Sequence, residues 1–196
     1  MKTLVMQARI SLTAVLGLAL LTCGVYPLLV WVAGQTLFPI QAAGSLVRAG
    51  ETVVGSALIA QGFSGPAYFH PRPSAAGKGY DAASSGGSNL GPLSSGLTEQ
   101  VRGRIAAYRA ENGLATDGAV PADAVTASAS GLDPHISVPN ALIQVRRVAR
   151  ARGMDQAALR AMIAAHTEAR SLEVMGTPRV NVLMLNLALD QKGRPK

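Results

Sequence analysis

Asp133-Pro134-His135 sets a carboxylate two residues from an imidazole, residue types that could serve acid–base chemistry. No serine or cysteine stands beside them in a recognised nucleophile motif, and Asp before Pro is a common turn device. Asp133 and His135 therefore read first as a structural turn, then as a partner contact, and last as catalysis. The run SSGGSN at 84–89 could present backbone N–H groups to phosphate, with Ser88 and Asn89 as the candidates for contacting ATP. It lacks the G-x-x-x-x-G-K-[ST] pattern, so an ordered turn is the competing reading. Arg72, held between Pro71 and Pro73, is a stiffened cation whose fork suits a carboxylate of its own domain or of a partner. Arg146, Arg147, Arg150 and Arg152 form a run opposite an apolar stripe and read as a solvated helix face, with Arg147 a candidate contact for a partner or for lipid head groups.

Metal chemistry finds little support. His70, His135 and His166 are far apart, and Cys23 is the single cysteine, so neither a zinc cluster nor an internal disulfide is expected. A hard cation held directly would need a cage of oxygens, whereas the acids are few and scattered and the net charge of +7 repels cations. A basic chain can also meet nucleic acid, but here little aromatic side chain interleaves with the arginines, so no nucleic-acid partner is expected.

The elements around these residues are of two kinds. Residues 10–34 carry no charge, and at a rise of 1.5 Å per residue they reach about 37 Å, enough to cross a bilayer. Lys2 and Arg9 precede the stretch and the next charge is Arg48, so residues 1–9 are expected in the cytoplasm and 35–196 outside an inner membrane. The run is longer than a signal peptide's apolar region and shows no Ala-x-Ala exit. Cys23 follows Thr22 inside the run, a poor lipoprotein site. Pro27 is expected to bend the last turns. Ala14, Gly17, Ala19 and Gly24 are small enough to let another span approach.

Beyond the span, residues 35–50 read as a linker and 52–63 as a strand. Residues 62–96 form a long Gly/Pro/Ser-rich loop, ordered because YFH and RP are not disorder-like. A helix is expected over 97–112, capped by Thr98 and stopped by Gly113. A short strand or extended piece follows at 120–126, and a turn cluster at 128–137. Ser137 should cap a helix running to Arg152, and Asp155 a further one with Leu159, Met162, Ile163 and His166 on one face. Residues 179–189 alternate as a strand, with Asn181 and Asn186 in need of partners. The fold class is an α+β periplasmic domain preceded by one N-terminal transmembrane helix. With 48% apolar but only 4% aromatic residues, its core must be aliphatic.

Six short motifs, GSALIAQGF, YFHPRPSA, GGSNLGP, TASASGLDPHIS, QVRRVARARG and GTPRVNVLMLNLALD, follow one span in that order. Together they resemble the C subunit of the Kdp potassium-transporting P-type ATPase over nearly the whole chain. Ala60 and Ala129 stand where that family usually has Gly, and Leu93-Ser94-Ser95 replaces its more usual Ser-Asn-Pro. The resemblance implies a non-catalytic accessory subunit of an inner-membrane complex. Its partners would be a channel-like potassium-selecting subunit, a P-type ATPase subunit, a small single-span subunit and membrane lipid. It also implies a catalytic chaperone that raises the ATPase subunit's affinity for ATP, with ATP met only in a ternary complex. That role conflicts with a domain on the side of the membrane lacking ATP, unless the effect travels through the span. A membrane-anchored periplasmic hydrolase and a free envelope binding protein are the rival readings.

Overall fold

The computed structural model describes residues 2–193. The chain divides into two compact units, 1–46 and 47–196.

In the first unit α1 (Lys2–Ala19) runs into a π-helical turn (Leu20–Val25) and then α2 (Tyr26–Leu37), followed by the short α3 (Pro39–Ala42). The 36-residue helix Lys2–Leu37 is long and apolar enough to cross a membrane, and none of its side chains is buried in the protein. Proline lacks an N–H, so Pro27 leaves the carbonyl four residues back without its helical donor and crowds it. The expected disturbance appears as the π turn just upstream, where Tyr26 N–H reaches back five residues to Leu21 O. Thr13 and Thr22 return their hydroxyls to carbonyls of the preceding turn, so these polar side chains are satisfied within the helix.

Among its described residues the second unit is built from two small sheets and four α-helices. β1 (Leu46–Ala49) pairs with β2 (Thr52–Ser56). The expected linker at 35–50 is thus helix at one end and strand at the other. The strand expected over 52–63 stops at Ser56, because Ser56 Oγ accepts from Leu58 N and closes a turn. Gln61 then folds back and donates to Val54 O at 2.8 Å, across Gly55, where any Cβ would collide with the Gln61 amide.

α4 (Ser95–Asn112) is capped by Ser94, not Thr98; Thr98 is already one turn inside, its N–H bonded to Ser94 O. Gly113 ends it in the left-handed conformation, as expected. The extended piece expected at 120–126 is instead a 3-10 turn, Ala122–Ala124. Part of the turn cluster is strand: β3 (His135–Ser137) leads directly into α5 (Val138–Arg152), capped by Ser137 Oγ, and Asp155 caps α6 (Gln156–Ala165).

β4 (Thr167–Glu168) and β5 (Arg179–Asn181) complete an antiparallel sheet in the order β3-β5-β4, with His135 opposite Asn181 and Glu168 opposite Arg179. The strand expected over 179–189 ends at Asn181, whose side chain accepts from Met184 N and caps α7 (Val182–Gln191). Val182, Leu185, Asn186 and Leu189 are all buried at helical spacing. Alternation would have put Met184 inside and Leu185 outside; the reverse holds. The core is aliphatic apart from Phe69, joining α5, α6, α7, β3 and β5.

Candidate functional site

Residues 57–94 contain no helix or strand, yet the loop passes through the core. At Phe69 the ring is fully buried, so its backbone polar groups must find partners inside the protein. Asn186 supplies both: its Oδ1 accepts from Phe69 N at 2.9 Å and its Nδ2 donates to Phe69 O at 2.9 Å. Gln144 does the same for His70, accepting from its N at 2.7 Å and donating to its O at 3.1 Å. Two side-chain amides, one from α7 and one from α5, thus act as strand partners for YFH.

The amides belong to a longer polar chain. Gln144 Nε2 also donates to Asn140 Oδ1, which receives the Tyr108 hydroxyl at 2.8 Å. Asn140 in turn donates to Asp123, whose carboxylate takes the N–H and hydroxyl of Ser137. Burial, with Asp123 nearby, pushes the Tyr108 phenol well above the usual tyrosine value and keeps it a donor.

Two of the four α5 arginines depart from the expected solvated face. The Arg147 side chain is 7% exposed and donates to Pro66 O, Tyr68 O, Asn112 Oδ1 and Gln144 Oε1. The Arg152 side chain is 1% exposed, pairs with Asp190 at 2.7 Å, donates to Ala67 O and lies over the Tyr68 ring. Both guanidiniums collect carbonyls of the loop. Arg146 and Arg150 are exposed.

Arg72 clamps a carboxylate of its own domain, Asp133, at 2.9 Å, while its backbone carbonyl receives the Tyr80 hydroxyl. Asp133 also accepts from His135 N at 3.0 Å, the turn bond expected for Asp before Pro. Burial alone would raise the Asp133 pKa; hydrogen bonds from His135 and then the Arg72 contact outweigh it and bring it down to about 2. His135 lies between two carboxylates, its Nδ1 3.4 Å from Asp133 and its Nε2 3.4 Å from Glu168, which Arg179 holds at 2.9 Å.

His70 borders a cavity of about 460 Å3 with Phe63, Tyr80, Arg104, Tyr108 and Glu111. Its Nδ1 meets Glu111 at 2.8 Å and its Nε2 meets Gly65 O at 2.9 Å. Burial holds its pKa below the usual histidine value despite the Gly65 carbonyl; Arg147 adds to the lowering and Glu111 opposes it. The His70–Glu111 pair, like His135 beside Asp133, has the parts of general-base machinery, but the far nitrogen of His70 faces a carbonyl and that of His135 a carboxylate, not a hydroxyl.

Ser88 and Asn89 are exposed. The glycines before them serve close backbone packing: Gly86 N donates to Ser130 O, and a Cβ on Gly87 would lie 2.9 Å from Ala129 O. Gly131, with φ +68°, closes the same contact from the other side against Ala76 and Gly86. The GGSNLGP and SASGLDP segments are therefore neighbours. Ala14, Gly17, Ala19 and Gly24 are all exposed on the long helix. Among the described residues no group of three or more His, Cys, Asp or Glu is placed to hold a metal.

Sequence reasoning missed Asn140, Gln144 and Asp123, and named Arg152 only as part of a solvated face. The available signal was the placement of Asn140 and Gln144 on the apolar side of α5, where an amide must be bonded.

Comparison with known proteins adds a second line. Residues 8–191 match the sequence model of the family described as KdpC: K+-transporting ATPase, c chain. The chain is 55% identical over 184 residues to the potassium-transporting ATPase KdpC subunit of Rhodospirillum rubrum, covering 94% of this chain and 95% of the relative. The KdpC subunit of Cereibacter sphaeroides is 52% identical over 185 residues, 94% of this chain and 97% of its own. That of Mycobacterium tuberculosis is 52% identical over 181 residues, covering 92% and 96%.

Proposed function

This chain belongs to the KdpC family, the c chain of the K+-transporting ATPase, and as such is an accessory subunit of a potassium transport complex; we propose that it acts there as a non-catalytic brace. The observation that carries the reading is where the reactive side chains are spent. His70, Arg72, Arg147 and Arg152 bind the chain's own carbonyls and carboxylates, Asp133 receives the Arg72 guanidinium, and together they hold one long loop in place. Groups so engaged favour a fixed surface for other subunits over turnover of a substrate.

In this reading the apolar helix crosses the inner membrane once, with its N-terminus in the cytoplasm and residues 35–196 in the periplasm. The charges support it: Lys2 and Arg9 flank the start of the span, and the next charged residue is Arg48. The domain braces a potassium-selecting, channel-like subunit. The span packs against the spans of the P-type ATPase subunit and the small single-span subunit through Ala14, Gly17 and Gly24. Exposed Arg146 and Arg150 are free to meet phosphate groups of membrane lipid. A catalytic-chaperone effect on the ATP affinity of the ATPase subunit then works through the span and not through Ser88 and Asn89.

The test is affinity purification of the tagged full-length chain, co-expressed with the other transporter subunits in mild detergent. Mass spectrometry and potassium-stimulated ATPase activity are the readouts. The full chain should bring down the ATPase subunit with potassium-stimulated turnover, and a chain lacking residues 2–34 should bring down little. Equal recovery by both would refute the role of the span. Ester hydrolysis by the purified chain, abolished by His70→Gln, would refute the non-catalytic reading.

A further inference from the structure

We propose that the arm joining β4 to β5, residues 169–178, is a preformed docking knob that inserts Leu172 and Val174 into an apolar crevice with a basic rim on another subunit of the transporter. The inference rests on the accessory-subunit reading and names the surface that reading requires.

Three observations converge on the arm. Its tip is apolar and bare: Leu172 is 81% exposed, Val174 75% and Met175 55%. Single exposed apolar residues are ordinary, but three within four positions at the end of a projection form a patch of the kind that marks interaction sites. The tip is also strained. Leu172 and Glu173 have φ of +52° and +64°, a region where glycine or asparagine is the usual occupant. A turn that only had to reverse the chain would carry those residues. Keeping a leucine there at a conformational cost points to a use for its side chain.

The arm is rigid at its root as well. Ser171 and Met175 exchange two backbone hydrogen bonds at 2.9 Å, and Glu173 N closes onto Arg170 O. Below them Glu168 is held by Arg179 at 2.9 Å and approached by His135 at 3.4 Å, tying β4 to β5 and to β3. A tip presented in one orientation loses little freedom on binding.

The charge at the tip selects among occupants. Glu173 lies between the apolar residues of the tip and Arg170 stands at the arm's root; neither belongs to an ion pair found among the described residues. Insertion of Leu172 and Val174 into a bilayer would carry the carboxylate between them toward hydrocarbon, which opposes it whatever Arg170 meets at the surface. A protein crevice with a cation at its rim receives both the apolar side chains and the charge.

The experiment places a photo-crosslinking p-benzoylphenylalanine at position 172 of the full-length chain in the assembled complex. In parallel, Leu172→Gly and Val174→Asp chains are tested for recovery of the other subunits. An adduct with another transporter subunit, and recovery lowered about tenfold in the variants, is expected. Leu172→Gly should leave thermal stability equal or higher, since glycine suits the left-handed turn; weaker association without weaker folding separates docking from structure. An adduct with phospholipid or with a second copy of the chain overturns the proposal. So does full recovery by both variants, which would leave the accessory reading standing. Failure of the unsubstituted chain to recover any transporter subunit overturns both.

Discussion

Asn186 is the residue on which the long loop depends most directly. Its amide accepts from the buried Phe69 N–H and donates to the Phe69 carbonyl, each at 2.9 Å. Asn186→Leu would keep much of the volume but strand an N–H and a carbonyl in the core, at a cost of about 3 kcal/mol. Urea denaturation of the full chain in detergent should show that loss. Asp133 sets a different expectation. Its carboxyl is held down at about 2, against an ordinary value of 3.8, so the folded state binds the proton more weakly than the unfolded chain. The stability it contributes is present above pH 3.8 and is lost as pH falls from there toward 2. The urea midpoint, followed downward from pH 5, should drop through that window, and an Asp133→Asn chain should start lower and drop less. None of the three side chains singled out around this loop, Arg72, Asp133 and Arg147, turned outward. Their types suggested contact chemistry, but a side chain's partner depends on which distant backbone carbonyl comes within reach, and spacing along the chain carries no such information.

At the scale of elements, α5 is the helix that holds the rest. Its apolar face packs into the core, its two buried amides bond the polar chain, and Arg147 and Arg152 reach out to the loop. Arg152 joins α5 to Asp190 of α7 and to the carbonyl of Ala67 with a side chain almost wholly enclosed. Arg152→Ala should cost about 3 kcal/mol because Asp190 loses its main partner, and Arg152→Lys should recover only part of it, since an ammonium cannot fork. Thermal unfolding of the three chains side by side gives the ranking. This helix was readable from its Ser137 cap, Pro139 and Gly153, as α6 was from Asp155, because caps are local chemistry. α7 was not. Its residues Arg179–Leu189 satisfy alternation for several positions and helical spacing for several others. What settles the matter is Asn181 acting as a cap, a bond visible only once Met184 N is in place. The tiny strands β3 and β4 were equally hidden, being two or three residues each and defined by their pairing with β5.

For the whole molecule, the division into a bare apolar helix and a mixed helix and sheet domain was legible from charge and hydropathy alone, and the division at 46–47 follows it. The interior of the domain was legible only in outline, as aliphatic and ordered. What makes it one body is the way residues 57–94 are threaded through it. Phe69 and His70 belong to no regular element, yet their N–H groups point at amides sealed from water. In heavy water these two protons should survive as long as those of the α5 interior, whereas the N–H protons of Leu172 and Val174 at the exposed tip of the arm should be replaced early; native-state hydrogen exchange reads both. Exchange that slow would mean the loop has no private route of opening. It would come apart only in the same event that dismantles α5 and α7, so a segment that looks like a connector would keep time with the core.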